Sequence, residues 1–140
     1  MVLYASDIMR KDFVVIPSEI NVLNASKLMK TENSGFLIVA DSEKPTGILT
    51  EWDIVTKVTA FEKDPKQVIV KDIMTRDFVS IGVDTPTIQL VEIMKEHKIR
   101  RLPVVQNGKI IGVITSRDIL SIFGEYVESA TEVASKYGLH

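Results

Sequence analysis

Gly47-Ile48-Leu49-Thr50-Glu51-Trp52-Asp53 and Gly112-Val113-Ile114-Thr115-Ser116-Arg117-Asp118 share one pattern: a glycine, two apolar residues, a threonine and, three residues on, an aspartate. The two stretches lie 65 residues apart, and the same offset links the segments around them. Asp7-Ile8-Met9 returns as Asp72-Ile73-Met74, Asp12-Phe13-Val14 as Asp77-Phe78-Val79, and Met29-Lys30 as Met94-Lys95. One register kept without a gap marks an internal repeat, so the fold is to be read as two similar units.

Each copy has the periodicities of an α+β unit. Val14-Ile16 and Val79-Ile81 are short strand segments. Ser18 to Asn33 carries Val22, Ala25, Leu28 and Met29 at helical spacing. In the second copy Thr85 is placed as the N-cap and Pro86 as the first helical residue, with Ile88, Val91 and Met94 as the buried stripe. Phe36-Val39 and Leu102-Val105 read as buried strands. Asn107-Gly108 is a two-residue hairpin turn, because both residues tolerate positive φ; a looser loop, Asp41 to Pro45, takes its place in the first copy. A second helix follows Thr50, with Ile54, Val55, Val58 and Phe61 apolar, and its counterpart is expected to bury Ile119, Leu120, Phe123 and Val127. Each copy thus reads β-α-β-β-α. The expected boundaries are 1–62 for the first repeat, 63–69 for a polar linker, 70–124 for the second repeat and 125–140 for a helical tail.

Composition narrows the function. The 140 residues are 45% hydrophobic and 26% charged, as in a folded globular chain. A net charge of -2 argues against general nucleic-acid binding, which needs a basic face. No cysteine is present, which excludes disulfides and thiolate metal sites. No apolar run reaches the roughly 20 residues that span a bilayer, and the start of the chain lacks the blocks of a signal peptide, so the cytoplasm is the expected compartment. His97 and His140 are lone histidines without partners at metal-ligand spacing.

The Gly-x-x-Thr-x-x-Asp pattern has two compatible readings. Thr-x-x-Asp can be a capping box with Asp in the place of Glu or Gln. A strand-to-helix junction can also receive a ligand: an ionised Asp accepts at two oxygens and suits the two hydroxyls of a ribose, while Thr50 and Thr115 can donate to a ribose or phosphate oxygen.

With both copies of this motif, both Asp-Ile-Met starts and Leu102-Pro103-Val104-Val105, the chain resembles the CBS-domain family from about Ser6 to Phe123. The resemblance implies two repeats packed about a pseudo-twofold axis through their small sheets, with two clefts between them. In many members such clefts bind AMP, ADP or ATP, and in some S-adenosylmethionine. Carried over, Asp53 and Asp118 resemble the ribose carboxylates and Thr50 and Thr115 their hydroxyl partners. Val14 and Val79 match the early strand that lines the adenine pocket, and Pro103 is a further ligand-binding candidate. A homodimer and an unidentified regulated protein are the implied partners.

The copies differ in charge. Arg100, Arg101 and Arg117 have Gly35, Phe36 and Trp52 as counterparts. The three arginines are therefore phosphate candidates, against the alternative of a solvated surface cluster, and the Asp118 side is expected to be the better-formed site. Trp52 is expected to be buried in a core or a dimer face, and Met9, Met29, Met74 and Met94 to serve packing. P-loop, dinucleotide-binding and nucleophile-elbow motifs are absent, so a regulatory module without catalysis or required cofactor is expected. A dimerisation scaffold that binds no nucleotide is the alternative.

Overall fold

The computed structural model describes residues 2–138. His140 lies outside the described residues, as do Met1 and Leu139. β1 (Val15–Ile16) pairs parallel with β2 (Phe36–Asp41), which pairs antiparallel with β3 (Lys44–Thr50). β4 (Ile81–Gly82), β5 (Arg101–Gln106) and β6 (Lys109–Thr115) repeat this arrangement in a second three-stranded sheet. Helices α2 (Val22–Glu32) and α5 (Thr87–His97) connect the first and second strands of each sheet. Helices α3 (Glu51–Lys57) and α6 (Ser116–Lys136) follow the third strands. The two Asp-Ile-Met stretches form the single turns α1 (Ala5–Ile8) and α4 (Val70–Ile73) and the residue after each. The architecture is α+β, two copies of one unit.

The central strands are buried on both faces, which is why they read as unbroken apolar runs. Leu37 and Val39 face a core with Val22, Ala25 and Leu49. Ile38 points the other way and meets Ile48 and Val113, so the two sheets join through a third cluster that Phe13, Phe36, Phe78 and Ile110 border. Burying such side chains is what holds the units together, at about 1.5–3 kcal/mol each.

The units are also interlocked. Ala5, Ile8 and Met9 pack into the core of the second unit with Ile81, Leu90 and Ile114, while Val70, Ile73 and Met74 pack into that of the first. Thr75 exchanges both backbone bonds with Ile48 on the outer edge of β3, at 2.8 and 2.9 Å, and Arg10 does the same with Val113 on β6, at 2.9 Å. The motif glycines permit this crossing. A Cβ at Gly47 would lie 2.8 Å from Met74 Sδ, and one at Gly112 would lie 2.6 Å from Met9 Sδ.

Several local expectations are corrected. The first hairpin is as tight as the second: Asp41 pairs with Lys44 across Ser42-Glu43, and Ser42 itself adopts φ 64°. Helix α2 starts at Val22 with Asn21 as its cap, because Ser18 is bound instead to Asp41. In α5 the cap is Pro86, and Thr87 begins the helix with its hydroxyl on the Leu3 carbonyl. Leu90 and Met94 form its buried stripe, whereas Ile88 and Val91 face outward. Val55, Phe61, Leu120, Phe123 and Val127 are likewise exposed, since α3 and α6 each offer only one flank to the sheets. Helix α6 runs unbroken through Gly124.

Candidate functional site

Both Thr-x-x-Asp sequences form complete capping boxes. Thr50 Oγ1 accepts from the Asp53 N–H at 3.2 Å, and Asp53 Oδ2 accepts from the Thr50 N–H at 3.0 Å. Thr115 and Asp118 repeat this at 3.2 and 2.9 Å. The cap turns each aspartate back across the strand-to-helix corner, and the second carboxylate oxygen is what remains for other partners.

Those partners differ between the units. Asp53 is buried, and its Oδ1 accepts from Lys57 Nζ at 2.9 Å and Thr75 Oγ1 at 3.3 Å. Lys57 also donates to the Ile73 carbonyl, which ties α3 to α4. Asp118 is nearly as buried, its side chain 10% exposed, and its Oδ1 accepts from Arg10 Nε at 2.7 Å.

A cleft of about 440 Å³ opens beside Asp53, within the size range of small-ligand sites. The first unit contributes Ile48, Thr50, Trp52 and Asp53. The second contributes Thr75, Asp77, Phe78 and Val79 from the segment before β4, and His97 to Arg101 from the turn before β5. One wall is thus apolar and aromatic, one corner carries a bound carboxylate, and the far rim is cationic.

Val79 and Pro103 share a backbone feature. In the first unit the Ile38 N–H donates to the Val14 carbonyl at 2.9 Å. The position of Ile38 in the second unit is Pro103, which has no N–H, so the Val79 carbonyl cannot receive the corresponding bond. Pro103 itself is buried in β5 and is among the lining residues of neither the Asp53 cleft nor the trough beside Asp118.

The candidate arginines, which the sequence assigns to neither aspartate, are separated in the structure. Arg100 and Arg101 line the Asp53 cleft, not the trough beside Asp118, because the Asp53 cleft takes its helix corner from the first unit and the turn before β5 from the second. Arg101 donates to Glu51 Oε1 at 3.0 Å. Arg117 is exposed and lines neither this cleft nor the trough beside Asp118. Val14 packs against the first core. Beside Asp118 lies a wider trough of about 690 Å³, lined by Arg10, Asp7, Glu125, Tyr126 and others, but not by Val14, Thr115 or Arg117. It opens because α6 continues straight where α3 stops at Lys57 and turns through Thr59–Phe61.

Trp52 is two-thirds exposed and lines the Asp53 cleft, not a core, because it follows the cap on the outer side of α3. Sequence reasoning passed over Thr75, Phe78 and Lys98. The signal for the first two was their place just after the second Asp-Ile-Met; Lys98, left-handed at φ 54°, carries no such mark. Among the described residues no cluster of His, Asp or Glu can hold a metal ion, and no helix is long and apolar enough to cross a membrane.

Comparison with known proteins accords with this geometry. The family model for the CBS domain matches twice, at residues 5–60 and 70–125. An uncharacterised protein of Methanopyrus kandleri is 35% identical over 133 residues, which is 94% of this chain and 68% of the relative. A hexameric CBS-CP12 protein from bloom-forming cyanobacteria superposes with a TM-score of 0.79 at 33% identity, covering 97% of this chain and 82% of the other. The CBS domain pair of the protein MJ0100, solved in complex with 5′-methylthioadenosine and S-adenosyl-L-methionine, superposes with a TM-score of 0.79 at 29% identity, covering 90% and 99%.

Proposed function

The chain belongs to the CBS-domain family, and from that premise we propose that it is a non-catalytic regulatory module that binds an adenosine nucleotide (AMP, ADP or ATP) in the cleft beside Asp53. One observation carries the choice of cleft. Pro103 leaves the Val79 carbonyl without the strand bond that Ile38 gives Val14, in a cleft that also holds Asp53 and two arginines. An open carbonyl can accept from the exocyclic amino group of adenine, Phe78 and Ile48 offer the base apolar walls, Asp53 Oδ1 can accept from a ribose hydroxyl that takes the place of the long Thr75 bond, and Arg100 and Arg101 can meet phosphate oxygens. The related pair with two adenosyl compounds bound supports the ligand class. S-adenosylmethionine is the second choice, since it shares the adenosine but not the phosphates.

Such a module regulates only if the ligand binds two states of it, or of its complex with a regulated protein, unequally. A thermal-shift screen of AMP, ADP, ATP, adenosine and S-adenosylmethionine tests the reading. A ligand at 100 times its Kd adds about 2.7 kcal/mol of stability. The expected result is a shift with phosphorylated adenosine compounds that Asp53→Ala removes and Asp118→Ala retains. No shift with any of them would overturn it.

Self-association is a second property that a specific observation favours. Trp52, Val55, Ile88, Val91, Leu120 and Phe123 are large apolar residues exposed on α3, α5 and α6, more than isolated surface residues explain. We propose that they close a homodimer. Light scattering should give twice the chain mass for the wild type and the chain mass for the pair Leu120→Asp, Phe123→Asp; a monomeric wild type would refute it.

A further inference from the structure

We infer that Glu51 is a specificity-determining residue of the Asp53 cleft, which weakens the binding of phosphorylated ligands and leaves the bare nucleoside unaffected. The inference rests on the reading of that cleft as a nucleotide site. Glu51 begins α3, beside the cap, and its backbone N–H donates to the Gly35 carbonyl at 2.9 Å. From there its carboxylate crosses to the other unit. Oε1 accepts from Arg101 Nη2 at 3.0 Å and lies 3.9 Å from Arg100 Nη2. Both arginines line the cleft, whereas Glu51 reaches them from outside it, from a neighbouring opening that it lines with Asn33, Ser34 and Gly35.

The contact is built, not incidental. Arg101 is only one-fifth exposed, and its guanidinium lies 5.4 Å from the centre of the Phe36 ring, so its orientation is restricted. Glycine at 35 leaves these two side-chain ends in their present positions; a Cβ there would make the Glu51 carboxylate and Arg101 Nη2 shift. The pair has no second copy. One repeat on, Glu51 becomes Ser116, and the residues matching Arg100 and Arg101 are Gly35 and Phe36. The motif needs only a cap and a carboxylate, so the acid at position 51 is extra to it.

A phosphate approaching Arg100 and Arg101 therefore meets a carboxylate already bound there. It must displace Glu51 or share the guanidinium with it, and either costs affinity in proportion to the ligand's negative charge. Adenosine, which has no phosphate, carries no such penalty.

Calorimetric titration of the full chain with AMP, ATP and adenosine, for the wild type and Glu51→Gln, tests this. Glu51 is half-exposed, so the expected gain in Glu51→Gln is moderate, about three- to tenfold tighter for AMP and ATP. Adenosine should stay within about twofold of its wild-type Kd, as an uncharged ligand must. Adding Arg101→Gln to Glu51→Gln should erase the gain. Unchanged nucleotide affinity in Glu51→Gln, or an equal gain for adenosine, would overturn the role of Glu51 while leaving the cleft assignment intact. A wild type that binds none of the three would overturn both.

Discussion

Replacing Pro103 with alanine gives β5 an amide that the native chain lacks at the point facing Val79. In the first unit the equivalent amide, that of Ile38, donates to the Val14 carbonyl at 2.9 Å. The new N–H should do the same to the Val79 carbonyl and so compete with the adenine amino group. A neutral hydrogen bond is worth about 0.5–1.5 kcal/mol net, so affinity for AMP should fall roughly 2- to 12-fold. Stability changes in offsetting ways. The strand bond adds about 0.5–1.5 kcal/mol, the freer unfolded chain removes about 0.4–1 kcal/mol, and two ring carbons lost from a buried position remove about 0.8 kcal/mol each. The net is a loss of no more than about 2 kcal/mol on those values. Calorimetry gives the affinity and urea unfolding the stability. The control is IMP, whose base has a carbonyl in place of the amino group; its weak binding should not fall further in Pro103→Ala. Wild-type AMP affinity in Pro103→Ala would refute the role given to the Val79 carbonyl.

Trp52 is the sole tryptophan, so nucleotide binding should change its emission, and a ligand that shifts the melting point without any change in emission would place the site elsewhere. Leu37→Ala, at a fully buried position in the first core, should cost about 2–5 kcal/mol in urea unfolding; a cost under about 1 kcal/mol would contradict that packing. The hydroxyl and N–H of Ser18, at 2.6 and 3.1 Å, hold the Asp41 carboxyl below its ordinary value of 3.8. A lowered value in the folded state gives stability that is present above the unfolded value and lost as pH falls through the folded one. Asp41→Asn should therefore flatten the acid limb of the stability curve below about pH 4, and an unchanged limb would deny the contact any role.

The repeat, the order of elements and the capping corners were legible because each depends on local pattern. Gly, Thr and Asp at fixed spacing make the same corner twice, and Asn107-Gly108 specifies its own turn, with φ of 53° and 77°. The tight first hairpin was not legible, since Ser42 tolerates its left-handed backbone only because the paired strands on either side impose it. Which arginine lies near which aspartate was not legible either. That depends on the crossing of α1 and α4 between the units, a long-range arrangement whose only trace in the sequence is the pairing of Met9 with Gly112 and of Met74 with Gly47. Trp52 read as a core or dimer-face residue on size alone, and the cap that projects it away from the core is evident only once the corner is built.

A crystal structure of the chain grown with the nucleotide that gives the largest thermal shift tests the central claim most directly. The account predicts density in the Asp53 cleft, with the adenine amino group on the Val79 carbonyl, a ribose hydroxyl on Asp53, and the phosphates on Arg100 and Arg101 in place of Glu51. Density only beside Asp118, in the trough along α6, or a base turned away from Val79, would contradict it.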